Sequence, residues 1–209
     1  MTYHLTDGID FMKKLPYDSV DGIFTDPPWG SGPAIIGQEN YLELIKDMTF
    51  EASRVLKQEG LCVIWVGMCM LGKIIKAIDD IEYKFTVFCD YTPSRYVSIF
   101  ESRLDPILIY QRKDGVYPKF DYRIKQLYQI VSTGKSDTRH PCARPFKSVY
   151  ELLGCFFKQH DYVIDPFAGS NTVGVACDRL NFKWDTCEID PKMYQTGLER
   201  SAQQSLFKL

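Results

Sequence analysis

Apolar positions along the chain come in two patterns, short continuous runs and runs spaced three and four residues apart, and the two alternate. Tyr3 to Leu5 and Val20 to Thr25 read as short buried strands, with a helix between them built on Ile9, Phe11, Met12 and Leu15 and closed by Pro16. Asn40 stands where it can cap a helix whose apolar positions Tyr41, Leu44, Ile45, Met48, Ala52, Val55 and Leu56 follow the helical period, with Gly60 as its stop. A strand over Leu61 to Gly67, a helix near Met70 to Asp79 and strands near Lys84 to Cys89 and Pro106 to Tyr110 follow. After Gln111 the regularity fails for about thirty residues. It returns as a helix (Lys147 to Lys158), a strand (Tyr162 to Asp165), a helix (Thr172 to Leu180), a strand (Trp184 to Glu188) and a helix from Pro191 to Gln203, with proline at its first position. Strands separated by helices of this length predict right-handed βαβ units and an α/β fold, a mostly parallel sheet with helices on both faces.

Composition narrows the class without changing that picture. The 209 residues carry 25 Lys plus Arg against 27 Asp plus Glu and are 45% hydrophobic, which fits one globular domain rather than a disordered chain. The longest uncharged apolar run, Leu61 to Leu71, is well short of the roughly 20 residues a membrane helix needs, so a cytoplasmic protein with no membrane partner is expected. Seven cysteines without a C-x-x-C pair, and three histidines at no ligand spacing, predict inert thiols and no metal. The net charge of −2 hides an asymmetry. From Arg112 to Lys147 nine basic residues face three acids, so this segment is +6 on a body of −8. Lys113, Lys119, Arg123, Lys125, Lys135 and Arg139, interleaved with Tyr117, Phe120, Tyr122 and Tyr128, are the candidate contacts to a polyanion.

Ligands of open α/β sheets bind at the carboxyl ends of the strands. Those ends carry Asp7, then Asp26-Pro27-Pro28-Trp29, then Asp165 to Thr172, then Glu188. Each acid alone has the ordinary reading of a helix cap or loop acceptor, but four at one edge suggest a site. Asp165 to Thr172 joins strand to helix through Gly169 without the lysine of a P-loop, and Glu188 follows about twenty residues later, where an acid can accept from ribose hydroxyls. That pattern suits a nicotinamide cofactor as well as S-adenosylmethionine. Asp26 to Trp29 discriminates between them. Two prolines leave rigid carbonyls that accept hydrogen bonds from an exocyclic amine, Asp26 takes a second hydrogen, and Trp29 stacks on a planar base.

On these motifs the sequence resembles the S-adenosylmethionine-dependent DNA amino-methyltransferases, which methylate adenine N6 or cytosine N4. Asp26 to Trp29 matches the family's Asp/Asn/Ser-Pro-Pro-aromatic catalytic motif, and Asp165 to Thr172 is similar to its Asp-Pro-Phe-x-Gly-Ser-x-Thr cofactor motif. His140-Pro141-Cys142-Ala143-Arg144-Pro145 resembles the short His-Pro-x-x-Lys/Arg-Pro motif that precedes it. Catalytic motif first and cofactor motif last is the order of the permuted beta class. The sequence departs from the family at Asn171, where many relatives have a second glycine, and at Cys142, where threonine is common.

The resemblance implies a Rossmann-like class I methyltransferase fold, circularly permuted. It implies one catalytic domain over residues 1–209, with a short target-recognition segment at about 113–139. Its catalytic residues would be Asp26, Pro27, Pro28 and Trp29. Its cofactor residues would be Asp7 (adenine), Glu188 (ribose) and Ile189, the loop residues Asp165, Phe167, Ala168, Gly169, Ser170, Asn171 and Thr172, and Pro141, Cys142 and Arg144. The reaction implied is direct methyl transfer to N6 of an adenine flipped out of duplex DNA, in a restriction-modification setting. Asp at the head of the motif favours adenine; cytosine N4 and RNA adenine are the alternatives. The short recognition segment makes a homodimer a candidate assembly. A non-catalytic nucleic-acid-binding subunit is the rival of another class, and the intact motif argues against it.

Overall fold

The computed structural model describes residues 1–28, 38–97, 100–119, 127–131 and 144–205. In chain order the elements are β1 (Thr2–Leu5), α1 (Gly8–Lys13), β2 (Val20–Thr25), α2 (Gln38–Val55), β3 (Leu56–Trp65), α3 (Leu71–Ala77), β4 (Ile81–Val97), β5 (Phe100–Arg112), β6 (Leu127–Val131), α4 (Phe146–Phe156), β7 (Tyr162–Asp165), α5 (Thr172–Leu180), β8 (Lys183–Glu188) and α6 (Pro191–Ser205). The strands form one sheet in the order β1-β8-β7-β2-β3-β5-β4-β6, and only β5 runs against the others.

Period-two alternation in the central strands divides the core into two layers. Phe24, Val63, Trp65, Ile107, Ile109 and Val163 face α4 and α5, where Val149, Leu152, Val173 and Ala176 meet them. Ile23, Cys62, Ile64, Leu108, Tyr110 and Ile164 face α1, α2 and α3 through Ile9, Met12, Tyr41, Ile45, Met48 and Ile74. Both faces are therefore covered, as a parallel sheet requires. The guanidinium of Arg54 on α2 donates to the Met12 and Leu15 carbonyls, so the helix that buries α1 is also tied to its C-terminal turn.

Four local expectations change. Asn40 does not cap α2, which begins at Gln38. Gly60 does not stop that helix either: α2 ends at Val55 and β3 begins at Leu56, paired with Val20. Residues 57–60 are absorbed as an irregularity before Gly22 meets Leu61. Pro106 to Tyr110 is the centre of β5, which returns antiparallel between β3 and β4 rather than through a helical crossover. Within the stretch where periodicity fails, Leu127–Val131 adds to β4 as a parallel strand, in register Phe88 with Leu127 to Thr92 with Val131.

This topology positions the site. From β2 the chain moves outward through β3, and from β7 it moves the other way to β8, so the order reverses between β2 and β7. The crevice at such a reversal is where open α/β sheets bind ligands. Asp26 and Asp165, at the ends of these two neighbouring strands, flank it.

Candidate active site

The residue after β2, Asp26, accepts two hydrogen bonds from one guanidinium: Arg144 Nε to Oδ2 at 2.6 Å and Nη2 to Oδ1 at 3.0 Å. The remaining edge of that guanidinium, Nη1, donates to Oδ2 of Asp105 at 3.0 Å. Asp105 also receives Trp65 Nε1 at 3.4 Å, and the guanidinium carbon lies 4.9 Å from the centre of the Trp65 ring. This group is well shielded, with side-chain exposures of 14% for Arg144, 28% for Asp26 and 10% for Asp105. Pro27 is buried and Pro28 half-buried. Trp29, the stacking candidate, and Gly30 to Gly37 beyond it lie outside the described residues, as do Pro141 and Cys142.

On the neighbouring strand Asp165 is bound by neutral donors among the described residues. Its Oδ1 accepts from the Thr25 hydroxyl at 2.7 Å and from the Phe167 amide at 3.0 Å. Burial pushes this carboxyl up to about 7; Asp26 and Glu188 push the same way, while the two hydrogen bonds hold it down. The loop beyond it turns at Gly169, whose φ of 52° is a left-handed conformation that glycine adopts without strain. Glu188 braces that turn, accepting the Gly169 amide at 2.9 Å and the Asp190 amide at 2.8 Å, and burial raises its carboxyl too. The Tyr3 hydroxyl closes the other side by donating to the Gly169 carbonyl.

Asn171 also takes the left-handed conformation, φ 57° and ψ 35°, which explains how it occupies a position where glycine is common among relatives. Its side-chain oxygen accepts from Thr186 at 2.8 Å and its amide donates to Ser201 at 3.1 Å. Arg200 on α6 donates to the Ser170 and Thr172 hydroxyls. Ala168, Ser170, Asn171 and Thr172 are buried, and Phe167 is half-buried. A Cβ on Gly8 would lie 2.1 Å from the Pro166 carbonyl, so the turn after β1 and the turn after β7 pack with no room for a side chain between them.

The structure thus brings together Asp26, Asp165, Phe167 to Thr172 and Glu188, with Arg144, expected among the cofactor residues, bonded to Asp26. Arg144 belongs beside Asp26 and not beside the Gly169 turn. Asp7 caps α1, accepting the Asp10 amide at 3.0 Å, which is the ordinary role for such a residue. Ile189, next to Glu188, is 66% exposed. No signal in the strand-end motifs pointed to Thr25, Tyr3, Trp65 or Asp105. Tyr41 is a further addition: its hydroxyl is buried with no hydrogen-bond partner, and burial together with the charge of Asp26 raises its phenol.

A search of protein-family models matches residues 20–199 to the N6/N4 DNA methylase family. The chain belongs to that family. The match runs from the first residue of β2 into α6, and so spans both turns of the site. Among curated relatives, the type II methyltransferase M.HpaI of Haemophilus parainfluenzae is 24% identical over 93% of this chain and 72% of its own length. The DNA adenine methyltransferase YhdJ of Escherichia coli is likewise 24% identical, over 93% of this chain and 80% of its own. Solved structures share the fold. The cytosine-N4-specific PvuII DNA methyltransferase superposes with a TM-score of 0.80 at 16% identity, over 98% of this chain and 89% of that one. The M1.HpyAVI complex with S-adenosylmethionine superposes with 0.75 at 20%, over 95% and 98%. The methyltransferase fold and the methyl donor expected from the sequence agree with these likenesses.

For this methylase the remaining site expectations divide. Lys113 and Lys119 are exposed, with Lys113 Nζ 3.7 Å from Asp79, whereas Arg123, Lys125, Lys135 and Arg139 lie outside the described residues. Arg112, also counted in the basic segment, is held by Asp18 and Asp114. Cys62, Cys89, Cys177 and Cys187 are buried, and burial pushes the thiols of Cys89 and Cys187 up to about 12, as inert cysteines should be. No group of metal-ligating side chains occurs among the described residues, and no described helix is long and apolar enough to cross a membrane.

Proposed function

We propose that this methylase transfers a methyl group from S-adenosyl-L-methionine to the exocyclic N6 of an adenine flipped out of duplex DNA. The observation that carries the reading is the placement of Asp26 at the β2–β7 reversal, next to a cofactor-type turn built on Gly169 and Glu188. The residues fit the donor. Burial raises the Asp165 carboxyl, and the charges of Asp26 and Glu188 push the same way. A ligand carrying ammonium and sulfonium charges would offset that repulsion. Asp165, Phe167, Ala168, Gly169, Ser170, Asn171, Thr172, Glu188 and exposed Ile189 would hold it, with Asp7 toward its adenine.

S-adenosyl-L-methionine, when bound, supplies a methyl group activated by the sulfonium. The protein's own part is to prepare the amine, a poor nucleophile because its lone pair is delocalised into the ring. The Asp26 carboxylate and the Pro27 carbonyl accept its two hydrogens and turn the lone pair toward the methyl carbon. The methyl carbon would be supplied by the donor, whose sulfur would keep the bonding pair, and the proton that the amine sheds would pass to the Asp26 carboxylate already accepting it. Trp29 stacks on the base and returns about 1 to 3 kcal/mol of the flipping cost. Lys113, Lys119, Arg123, Lys125, Lys135 and Arg139 bind backbone phosphates, residues 113–139 read the target, and residues 1–209 act as one catalytic domain.

Aspartate at the head of the motif and the adenine-methylating relative YhdJ support N6. The superposition on a cytosine-N4 enzyme favours N4 as the second reading. Transfer of a labelled methyl group to unmodified duplex DNA, to single strands and to RNA, followed by nucleoside analysis, tests both. Label on N6-methyladenosine from RNA alone would overturn the DNA assignment, and label on cytosine would move the target to N4.

A further inference from the structure

We infer that Arg144 is the positioning residue for Asp26, and that Asp105 and Trp65 serve to hold Arg144. The inference rests on the reading of Asp26 as the acceptor of the target amine, and it replaces the expectation that Arg144 contacts the cofactor. Its basis is the geometry of one guanidinium bound on three sides. Two edge donors, Nε and Nη2, grip both oxygens of Asp26 at 2.6 and 3.0 Å. Nη1 is taken by Asp105 at 3.0 Å, and one face lies 4.9 Å from the Trp65 ring centre.

Each contact removes a different freedom. The paired bonds to Asp26 fix the plane of its carboxylate, which a single bond would leave free to rotate. Asp105 stops the guanidinium from sliding along Asp26, and Trp65 blocks tilting on one side while its own N–H ties Asp105 in place at 3.4 Å. A carboxylate has about four acceptor sites, so Asp26 can hold Arg144 and still receive an amine hydrogen. What the clamp supplies is a fixed direction for that acceptor, which is worth most in the step where the lone pair must align with the methyl carbon. Sharing one guanidinium between two carboxylates also explains how a residue as shielded as Asp105 is accommodated on β5, whose exposure there is 7%. The arrangement needs β5 to run antiparallel. Only then does Asp105, near the start of its core-facing segment, reach the edge where β3 ends at Trp65.

The test uses the full-length protein with Arg144→Lys, Asp105→Asn, Asp26→Ala and the Arg144→Lys, Asp105→Asn double variant. Single-turnover methyl transfer at saturating S-adenosyl-L-methionine and unmodified DNA is measured beside cofactor affinity by calorimetry. Lysine keeps the charge but cannot grip two oxygens, so Arg144→Lys should slow transfer about a hundredfold. Cofactor affinity should stay within about threefold, because the residue touches Asp26 and not the Gly169 turn. Asp105→Asn should slow transfer about tenfold, and the double variant should be no more than about twofold slower than Arg144→Lys alone, since both act through one group. Should Asp105→Asn fold poorly, Trp65→Phe keeps an aromatic face but loses the N–H and part of the indole, and it should slow transfer about threefold with cofactor affinity unchanged.

A parallel fall of cofactor affinity and rate in Arg144→Lys would return Arg144 to the cofactor and overturn the inference. Full rate in Arg144→Lys, or multiplicative losses in the double variant, would overturn it as well. Near-normal transfer by Asp26→Ala would instead sink the underlying reading of Asp26. An inactive Asp26→Ala beside a fully active Arg144→Lys would leave that reading intact and reject only the clamp.

Discussion

The turns after β2 and after β7 begin on neighbouring strands, each with an aspartate, and they hold those aspartates in opposite ways. Asp26 is gripped by a guanidinium that is itself anchored on Asp105. Asp165 is bound by a hydroxyl and an amide, and its carboxyl is pushed up to about 7 by burial. The first turn comes with its own cation and presents a fixed acceptor. In the second no described cation pairs with the aspartate, and the arginine of that turn, Arg200, is bonded to the Ser170 and Thr172 hydroxyls instead. One edge of one sheet thus holds two aspartates differently, one by a charged pair and one by neutral donors, and on the proposed function the first would orient an amine and the second would lie beside the donor.

Removing the acceptor from the first turn should have the largest effect. Asp26→Ala is expected to lower single-turnover transfer about a thousandfold or more, with the cofactor bound about as well as before. Because that change also leaves Arg144 with one carboxylate fewer, Asp26→Asn serves as the isosteric partner. A cofactor affinity that fell as far as the rate would erase the division between the turns.

The second turn should show its character in the pH dependence of stability. The native Asp165 carboxyl titrates at about 7, above its ordinary value of 3.8. Its contribution is therefore fully present below about pH 4 and is lost as pH rises through 7, where the buried group must ionise. Asp165→Asn keeps an acceptor for Thr25 and Phe167 but never ionises. It should be more stable than the parent at pH 8, by up to about 3 kcal/mol, and the gap should close toward pH 4. Denaturant melts at the two pH values measure this. If the donor's charge is what the turn awaits, the parent should also bind S-adenosyl-L-methionine more tightly at pH 8 than at pH 6, and Asp165→Asn should lose that dependence.

Next in size is the backbone of the same turn. Asn171→Ala forces a left-handed conformation on a residue with no local hydrogen bond and deletes two side-chain contacts, and should cost about 2 kcal/mol in thermal or denaturant melts. Asn171→Gly should recover about half of that, because it restores the backbone freedom alone. Equal losses in the two variants would make the side-chain bonds the whole effect.

The smallest expected change lies outside both turns. Reversing Lys119, Arg123 and Lys125 to glutamate should weaken DNA binding about tenfold at moderate salt and make the salt dependence shallower by about 3 in slope, with cofactor affinity untouched. An unchanged slope would mean that these residues form a solvated face.

Much of the layout of the candidate site was legible along the chain. Asp26, Asp165 and Glu188 stand directly after apolar runs that become β2, β7 and β8, and a parallel sheet brings all such ends to one edge. Spacing along the chain said less about two other residues. Asp7 caps α1, and Arg144, close in sequence to the cofactor motif, lies in space against Asp26. Asp105 was illegible because it stands before an apolar run rather than after it, and only strand direction gives that position meaning.

The sequence by itself determined the alternation of strands and helices, the order of the motifs and the chemical types gathered at the sheet's edge. These follow from local periodicity and from the rule that parallel strands end together. Only the tertiary structure decided which carboxylate received the arginine. That choice depends on β5 turning back between β3 and β4, which carries Asp105 to the end of Trp65's strand and closes the guanidinium between two acids far apart in the chain. Pairing across such separations is settled by strand direction and register, quantities to which the spacing of residues along the chain is blind.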